Sequence, residues 1–334
     1  MDHPAWQWWR EPDGLQPDCC WGAQQTTVSL RYRFTLMADL GVQIFRFELP
    51  WRAVAPEWPT GVTGNATAAS PNWSGCRWQH LDGIIRLLGE VGIQPLPVVI
   101  FAPPWSTGSS NPVGMPLAMH VEHVMTALAR RYRDHVHYWE LWNEPDHAHF
   151  WSGTLEEYVA RVLVPGSSAV RSVDGNLRVV VGGLAHADSL AALYAAHAKD
   201  AFDVFSFHCY PRRARVCEVQ RTVARARAIM ERYGDAKPLW LTECGLATRA
   251  PSTSSGFGGY ASERKQARFV TALYRRVDVD CICFYQLADS ITFDRAGHQL
   301  KQVYWGLVSR DLHHRKPSYT SYAEAAQGPL STPG

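Results

Sequence analysis

The stretch that decides the fold runs from Val136 to Gly182 and reads VHYWELWNEPDHAHFWSGTLEEYVARVLVPGSSAVRSVDGNLRVVVG. Its apolar run from Val136 to Trp142 predicts a strand, and Leu155 to Val173 has the amphipathic period of a helix. A second apolar run, Arg178 to Gly182, predicts the next strand. Two apolar strands joined by a helix are typical of a parallel βαβ unit, because parallel strands need a long crossover connection.

The same unit repeats along the whole chain. Further strands are predicted at Val42 to Leu49, Gln94 to Phe101, Asp203 to Tyr210, Pro238 to Glu243, Cys281 to Leu287 and, earliest, Cys20 to Gln24. Further helices are predicted at Ser29 to Leu40, Leu81 to Val91, Met119 to Tyr132, Ser189 to Lys199, Glu218 to Tyr233, Ser262 to Val277 and Ser318 to Ala326. Strands this apolar must be covered on both sides, which predicts a parallel sheet with helical crossovers, typical of the α/β class.

Two architectures fit this alternation: a closed (β/α)8 TIM barrel and an open doubly wound sheet. A doubly wound nucleotide binder carries a glycine-rich turn after its first strand, and no such motif occurs in the chain. We therefore expect a single (β/α)8 barrel over residues 1–334. Residues 1–17 are expected to form an N-terminal extension, and residues 53–77 an elaborated loop over the mouth of the barrel.

Charge and composition exclude several classes of partner. The 334 residues contain 33 Lys and Arg against 31 Asp and Glu, a net charge of +2, which disfavours binding to nucleic acid or to an anionic membrane. No apolar segment reaches membrane-spanning length, and the N-terminus lacks the pattern of a signal peptide. This leaves a cytoplasmic protein or an exported and already processed one.

No metal or other cofactor is predicted. The eight cysteines contain no paired CxxC spacing of a structural zinc site. The histidine pairs of the chain do not form an HExxH motif.

Two glutamates stand at the ends of predicted strands. Glu144 lies in Trp142-Asn143-Glu144-Pro145 at the end of the fourth strand, and Glu243 in Thr242-Glu243-Cys244-Gly245 at the end of the seventh. The carboxyl ends of the strands of a (β/α)8 barrel meet at one rim, where active sites lie. We therefore expect both carboxylates in one site.

These motifs resemble a known group of enzymes. The segments that carry the resemblance are Tyr138 to Asp146, Leu239 to Gly245, the strand around Arg46, Ala102 to Trp105, Phe207 to Pro211, Trp305 to Leu307 and Lys316 to Tyr319. The chain resembles the clan A retaining glycoside hydrolases and is most similar to family 39, with family 5 next. The resemblance implies a carbohydrate substrate, with Glu144 as the acid/base and Glu243 as the nucleophile.

Further residues are expected at the same rim. Ser206, His208 and Tyr210 alternate along their strand and so share one face. The resemblance implies that Tyr210 hydrogen-bonds the nucleophile, and we expect His208 on the acid/base side. It also implies that Asn143 binds the 2-hydroxyl group of the sugar.

A charged residue and several aromatic rings complete the predicted site. An Arg that points into a barrel needs partners, and we expect Glu140 and Glu243 to pair with Arg46. Aromatic rings after strand ends suit stacking on a pyranose. The rings expected to do so are Trp105, Trp142, Trp151, Tyr285 and Trp305, with Trp305 as the floor of the −1 subsite.

The predicted function is a retaining glycoside hydrolase that cleaves β-glycosidic bonds of an oligo- or polysaccharide by double displacement (EC 3.2.1.-). An ionised Glu243 close by favours the protonated form of Glu144, as the first step requires. A transglycosylase on the same scaffold and a non-catalytic carbohydrate-binding barrel are the alternatives.

Overall fold

The computed structural model describes residues 27–59, 72, 73, 76–111, 113–249, 259–293 and 299–327. The strands are β1 Ile44–Pro50, β2 Gln94–Ile100, β3 Tyr138–Asn143, β4 Arg178–Gly183, β5 Phe205–His208, β6 Leu239–Cys244, β7 Cys281–Phe284, β8 Ser290–Phe293 and β9 Gln299–Val303. The helices are α1 Thr27–Asp39, α2 Trp51–Val54, α3 Gln79–Glu90, α4 Pro104–Thr107, α5 Ala118–Tyr132, α6 Leu155–Tyr158, α7 Val164–Val173, α8 Leu190–Ala195, α9 Val216–Arg232, α10 Glu263–Arg276 and α11 Pro317–Gln327.

Seven of the described strands run parallel in chain order. Ladders join β1 through β4 and β5 through β7, and isolated bridges such as Val180 to Val204 connect β4 with β5. β7 contacts β1, but in the described part of the chain no ladder joins them. The order is that of a barrel wall, so the carboxyl ends of β1 to β7 lie at one rim.

The alternation within β1 shows how the sequence sorts its side chains. Phe45 and Phe47 face outward, and their rings stack with centroids 5.6 Å apart. Phe45 also packs against Phe34 of α1. Arg46 and Glu48, between and after them, face inward. The outer faces of the strands pack on the helices in the main apolar core.

A second, smaller apolar cluster fills the inward side of the wall. Its buried members are Leu96, Val180, Val204 and Trp240. Partly buried Ile44 and Tyr138 pack against it, each two residues before an inward charged residue. The charged residues of the site therefore rest on an apolar floor.

The seven parallel strands confirm the predicted second to eighth strands. The first predicted strand, Cys20 to Gln24, lies outside the described residues, as do residues 1–17 of the predicted extension. Of the predicted loop 53–77, residues 60–71, 74 and 75 also lie outside them, and the start of this loop is helical in α2.

Three local features differ from prediction. The helix predicted from Ser189 to Lys199 ends at Ala195, because His197 adopts a left-handed conformation with a φ of 57°. The helix predicted from Leu155 to Val173 contains a π-helical turn at Val159–Leu163, just before Pro165, which has no N–H to donate. The antiparallel pair β8 and β9 was not predicted. No helix in the described ranges is long and apolar enough to cross a membrane.

Candidate active site

The backbone at the end of β3 is strained, and this strain presents Glu144. Trp142 and Glu144 have positive φ angles of 75° and 42°. Such conformations are uncommon in residues other than glycine and cluster at functional sites. The Glu144 N–H donates to the Gly183 carbonyl of β4 at 2.9 Å, which holds the turn in place.

Gly183 lies at the centre of the site because it has no side chain. Its N–H donates to Glu140 Oε1 at 2.9 Å, while its carbonyl accepts from Glu144. A Cβ atom at this position would overlap His208 Nε2 and lie 2.8 Å from Thr242 Oγ1. Only glycine lets β4 approach β5 and β6 this closely.

Arg46 holds three side chains of the site together. Its guanidinium donates to Glu140 through Nε and Nη2 at 2.7 and 2.9 Å, to Glu243 Oε1 at 2.7 Å and to Asn143 Oδ1 at 2.7 Å. Burial works against the charge of Arg46, yet Glu140 and Glu243 outweigh it and raise the pKa of Arg46 well above its ordinary value. The two carboxylates are the partners expected from the sequence.

Asn143 is oriented by this network. Its amide oxygen accepts from Arg46, so its Nδ2 amide hydrogens are left to donate. The amide group therefore presents donors, as binding of a sugar hydroxyl oxygen requires.

Glu243 is held in its ionised form. Burial alone would raise its pKa, but the charges of His208 and Arg46 and the hydrogen bonds from Tyr210 and Arg46 outweigh burial and lower it. The Tyr210 hydroxyl donates to Glu243 Oε2 at 2.6 Å. Each oxygen of Glu243 thus accepts one hydrogen bond, and 17% of its side chain is exposed.

His208 lies between the two glutamates. Its Nδ1 atom is 2.7 Å from Glu144 Oε1 and 3.5 Å from Glu243 Oε2. Burial lowers the pKa of His208, but the carboxylates of Glu243 and Glu144 outweigh it, and the net shift is upward. His208 thus hydrogen-bonds Glu144 and lies within ion-pair range of Glu243. The buried Glu144 Oε2 has no hydrogen-bond partner in the described part of the chain.

The spacing of the carboxylates limits their chemistry. One ligand atom from each of Glu144, His208 and Glu243 lies within 4.8 Å of the others. Retaining glycosidases separate their carboxyl groups by about 5 to 5.5 Å, and inverting ones by about 6.5 to 9.5 Å. At least one pair of oxygens from Glu144 and Glu243 is therefore closer than the separation of the inverting class. These three side chains are also the set in the described ranges that could ligate a metal ion.

The predicted aromatic residues fall into separate places. Tyr285 and Trp305 stand beside the nucleophile, with ring centroids 6.1 and 5.2 Å from Tyr210. Trp105 belongs to another cluster, in edge contact with Trp51 and Trp58, and its Nε1 donates to the Ala55 carbonyl.

Trp142 and Trp151 are packing residues in this structure. Each is 1% exposed, and their rings meet edge to face at 5.2 Å. Trp142 Nε1 donates to the Phe150 carbonyl and Trp151 Nε1 to the Thr154 carbonyl. They support the loop after β3 from below rather than line an open surface.

The sequence analysis did not single out Asp146 or Gly183. Asp146 accepts hydrogen bonds from the backbone of Ala185 and His186 and from Ser189 Oγ, which ties the loop after β4 to the Glu144 turn. An Asp that follows a Pro at a strand end only weakly indicates that its side chain will accept hydrogen bonds from a neighbouring loop. The role of Gly183 has no local signal, because it depends on side chains from two other strands.

Solved structures share this fold. A family 39 glycoside hydrolase from Bacteroides cellulosilyticus WH2 is 17% identical with a TM-score of 0.64, over 89% of this chain and 60% of that one. A GH39 enzyme from Xanthomonas axonopodis pv. citri and a monomeric β-xylosidase from Caulobacter crescentus CB15 are each 19% identical with TM-scores of 0.67. Both matches cover 90% of this chain, and 62% and 64% of those chains. This chain thus spans less than two thirds of each. The likeness establishes the predicted (β/α)8 barrel.

Residues 76–232 match the family model described as Glycosyl hydrolases family 39. No curated protein matches the chain. The family match confirms the predicted resemblance to family 39 and supports the predicted enzyme class.

Proposed function

We propose that this protein is a retaining glycoside hydrolase that cleaves β-glycosidic bonds of an oligo- or polysaccharide by double displacement. One observation carries the proposal: a carboxylate oxygen of Glu144 lies within 4.8 Å of one of Glu243, and the surroundings of the two residues differ. Glu243 is held ionised by Arg46, His208 and Tyr210, whereas none of the described residues hydrogen-bonds Oε2 of Glu144. Two carboxylates in unlike environments are suited to two different roles.

In the first step Glu243 attacks the anomeric carbon, and the bond to the leaving oxygen breaks. Glu144 donates its proton to that oxygen as the bond breaks. Because Glu144 Oε1 contacts His208, the other oxygen, Oε2, is the one left to carry the proton. The Asn143 amide hydrogens are placed to donate to the sugar 2-hydroxyl group, a contact that strengthens in the transition state.

In the second step water breaks the glycosyl ester. Once Glu243 is esterified its negative charge is gone, and Glu144 can ionise and take a proton from the attacking water. Water adds to the anomeric carbon, Glu243 leaves as a carboxylate, and Glu144 is protonated again. Arg46 and Tyr210 stabilise the carboxylate that reappears.

The direct test is removal of each carboxylate. On an aryl β-glycoside selected from a panel of sugars, Glu144→Ala and Glu243→Ala should each lose about 10²- to 10⁴-fold or more in rate. Glu156→Ala, which removes an exposed carboxylate from α6, is the matched control and should retain activity. Full activity in either site variant would overturn the proposal. Products longer than the substrate at high acceptor concentration would indicate transglycosylation instead.

A further inference from the structure

A third glutamate, Glu48, faces the same interior and has no role in the mechanism above. It follows Arg46 by two residues on β1, so both side chains point inward. A strand rises about 3.3 Å per residue, which puts Glu48 about 7 Å nearer the mouth of the barrel than Arg46. Glu48 lies close enough to Glu243 and Glu144 for their charges to act on it, and it lines the same cavity as Glu243.

Within the described ranges, the carboxylate of Glu48 accepts no hydrogen bond. Arg46 directs its donors to Glu140, Glu243 and Asn143. Glu48 itself forms no hydrogen bond or ion pair with any residue in the described ranges. Glu48 is only partly buried, so its acceptor oxygens can be reached by a ligand in the adjoining space.

The charges around Glu48 oppose its ionisation. Burial raises the pKa of Glu48, and repulsion from the carboxylates of Glu243 and Glu144 raises it further. The positive charge of Arg46 lowers it, but the net result is a pKa of about 7. Four carboxyl groups, those of Glu48, Glu140, Glu144 and Glu243, therefore face two basic groups, those of Arg46 and His208. A carboxylate on the ligand would add to this surplus of acidic groups, whereas hydroxyl donors would meet acceptor oxygens.

Glu48 also opens to the space beside the nucleophile. It lines a cavity of about 150 Å³ that runs between β1 and β7 from Arg33 and Met37 of α1 to Glu243 and Tyr285. A ligand in contact with Glu243 can therefore reach the Glu48 carboxylate through the same space.

Resting on the proposed function, we propose that Glu48 is a specificity-determining residue that binds the 3- and 4-hydroxyl groups of the sugar in the −1 subsite. The substrate is then a neutral glycoside with both hydroxyl groups free, not a uronide. A carboxylate offers two acceptor oxygens, which match the two O–H donors of a vicinal diol. Asn143 is already assigned to the 2-hydroxyl group, so the 3,4-diol is the adjacent pair left for Glu48.

The test compares wild type, Glu48→Gln and Glu48→Ala on one neutral aryl β-glycoside, its 3-deoxy and 4-deoxy analogues, and the matching aryl β-uronide. In wild type assayed at pH 8, where Glu48 is ionised, loss of either hydroxyl group should lower kcat/KM by about 10- to 100-fold, as expected for a hydrogen bond to a charged acceptor. In Glu48→Ala the parent glycoside should fall by a similar factor, and the further penalty for each deoxy analogue should largely disappear. The ratio of neutral glycoside to uronide should also fall in both variants.

Glu57→Gln is the matched control, because Glu57 is an exposed carboxylate a short way after β1. It should reproduce every wild-type ratio. Circular dichroism shows whether the variants are folded, and the isosteric Glu48→Gln preserves packing. Equal losses on parent and deoxy substrates, or no loss at all, would overturn the role of Glu48 while leaving the hydrolase intact. A folded wild type that hydrolyses no β-glycoside would instead overturn the proposed function.

Discussion

The hydrogen bond from Tyr210 to Glu243 offers a quantitative test of the site. Tyr210→Phe removes one hydroxyl group, at 2.6 Å from Glu243 Oε2, and leaves the ring in its contact with Trp305. A hydrogen bond to a charged group contributes about 1.5 to 3 kcal/mol. Arg46 and His208 still act on Glu243 in the variant, so we expect the lower part of that range, about one pKa unit.

The sign of the pH effect follows from the role of Glu243. The nucleophile must be ionised, and the surroundings lower its pKa, so activity falls as pH drops through that value. Without the Tyr210 donor the pKa of Glu243 rises. The acid limb of the profile of kcat/KM against pH should therefore move about one unit to higher pH, and kcat/KM at the optimum should fall about tenfold or more.

Tyr194→Phe is the matched control. It removes a tyrosine hydroxyl that donates to a carboxylate oxygen of Asp235 at 2.8 Å, outside the site. That variant should lose stability without any change in the pH profile. An acid limb that stays in place in Tyr210→Phe, or moves to lower pH, would refute the electrostatic account of Glu243.

Three other variants test the surrounding structure by thermal unfolding and activity. Arg46→Gln leaves buried carboxylates unpaired, so it should lower the free energy of unfolding by about 3 to 5 kcal/mol and abolish most of the activity. A stable and active variant would contradict this role of Arg46. Gly183→Ala should lower the free energy of unfolding by about 1 to 3 kcal/mol and reduce kcat, because the new Cβ displaces His208. Gly89→Ala is the control: a Cβ there meets nothing within 4 Å, so this variant should not be destabilised. Glu48 is destabilising once ionised, because its folded-state pKa of about 7 exceeds the ordinary value of 4.5. Its stability penalty therefore develops as pH rises from 4.5 to 7, so Glu48→Gln should be about 2 to 3 kcal/mol more stable than wild type at pH 8 and nearly equal at pH 4.

The strands could be predicted because each is a short apolar run bounded by turn residues. β1 is the clearest case, since Phe45 and Phe47 alternate with Arg46 and Glu48, and the structure sorts them onto opposite faces. The end of α8 could not be predicted, because the left-handed conformation of His197 depends on how the chain returns to the barrel.

The site was predictable to the extent that it consists of strand-end motifs. The alternation of side chains along one strand predicted that His208 and Tyr210 share a face. In the structure both lie next to the carboxylate of Glu243. The position of Trp142 at a strand end did not indicate its surroundings, because a φ of 75° interrupts the extended backbone there and the ring packs beneath the loop. Contacts that join three strands, such as those at Gly183, have no signature in any single segment.

The most direct measurement of the central claim, that Glu243 attacks the sugar and Glu144 moves the proton, is the anomeric configuration of azide products by proton NMR. With an activated aryl β-glycoside, Glu144→Ala should form the ester on Glu243 and release a β-glycosyl azide, because azide replaces the water of the second step. Glu243→Ala should give an α-glycosyl azide, since azide then attacks from the side of the missing nucleophile. The reverse pairing, or no azide product from either folded variant, would contradict the assignment.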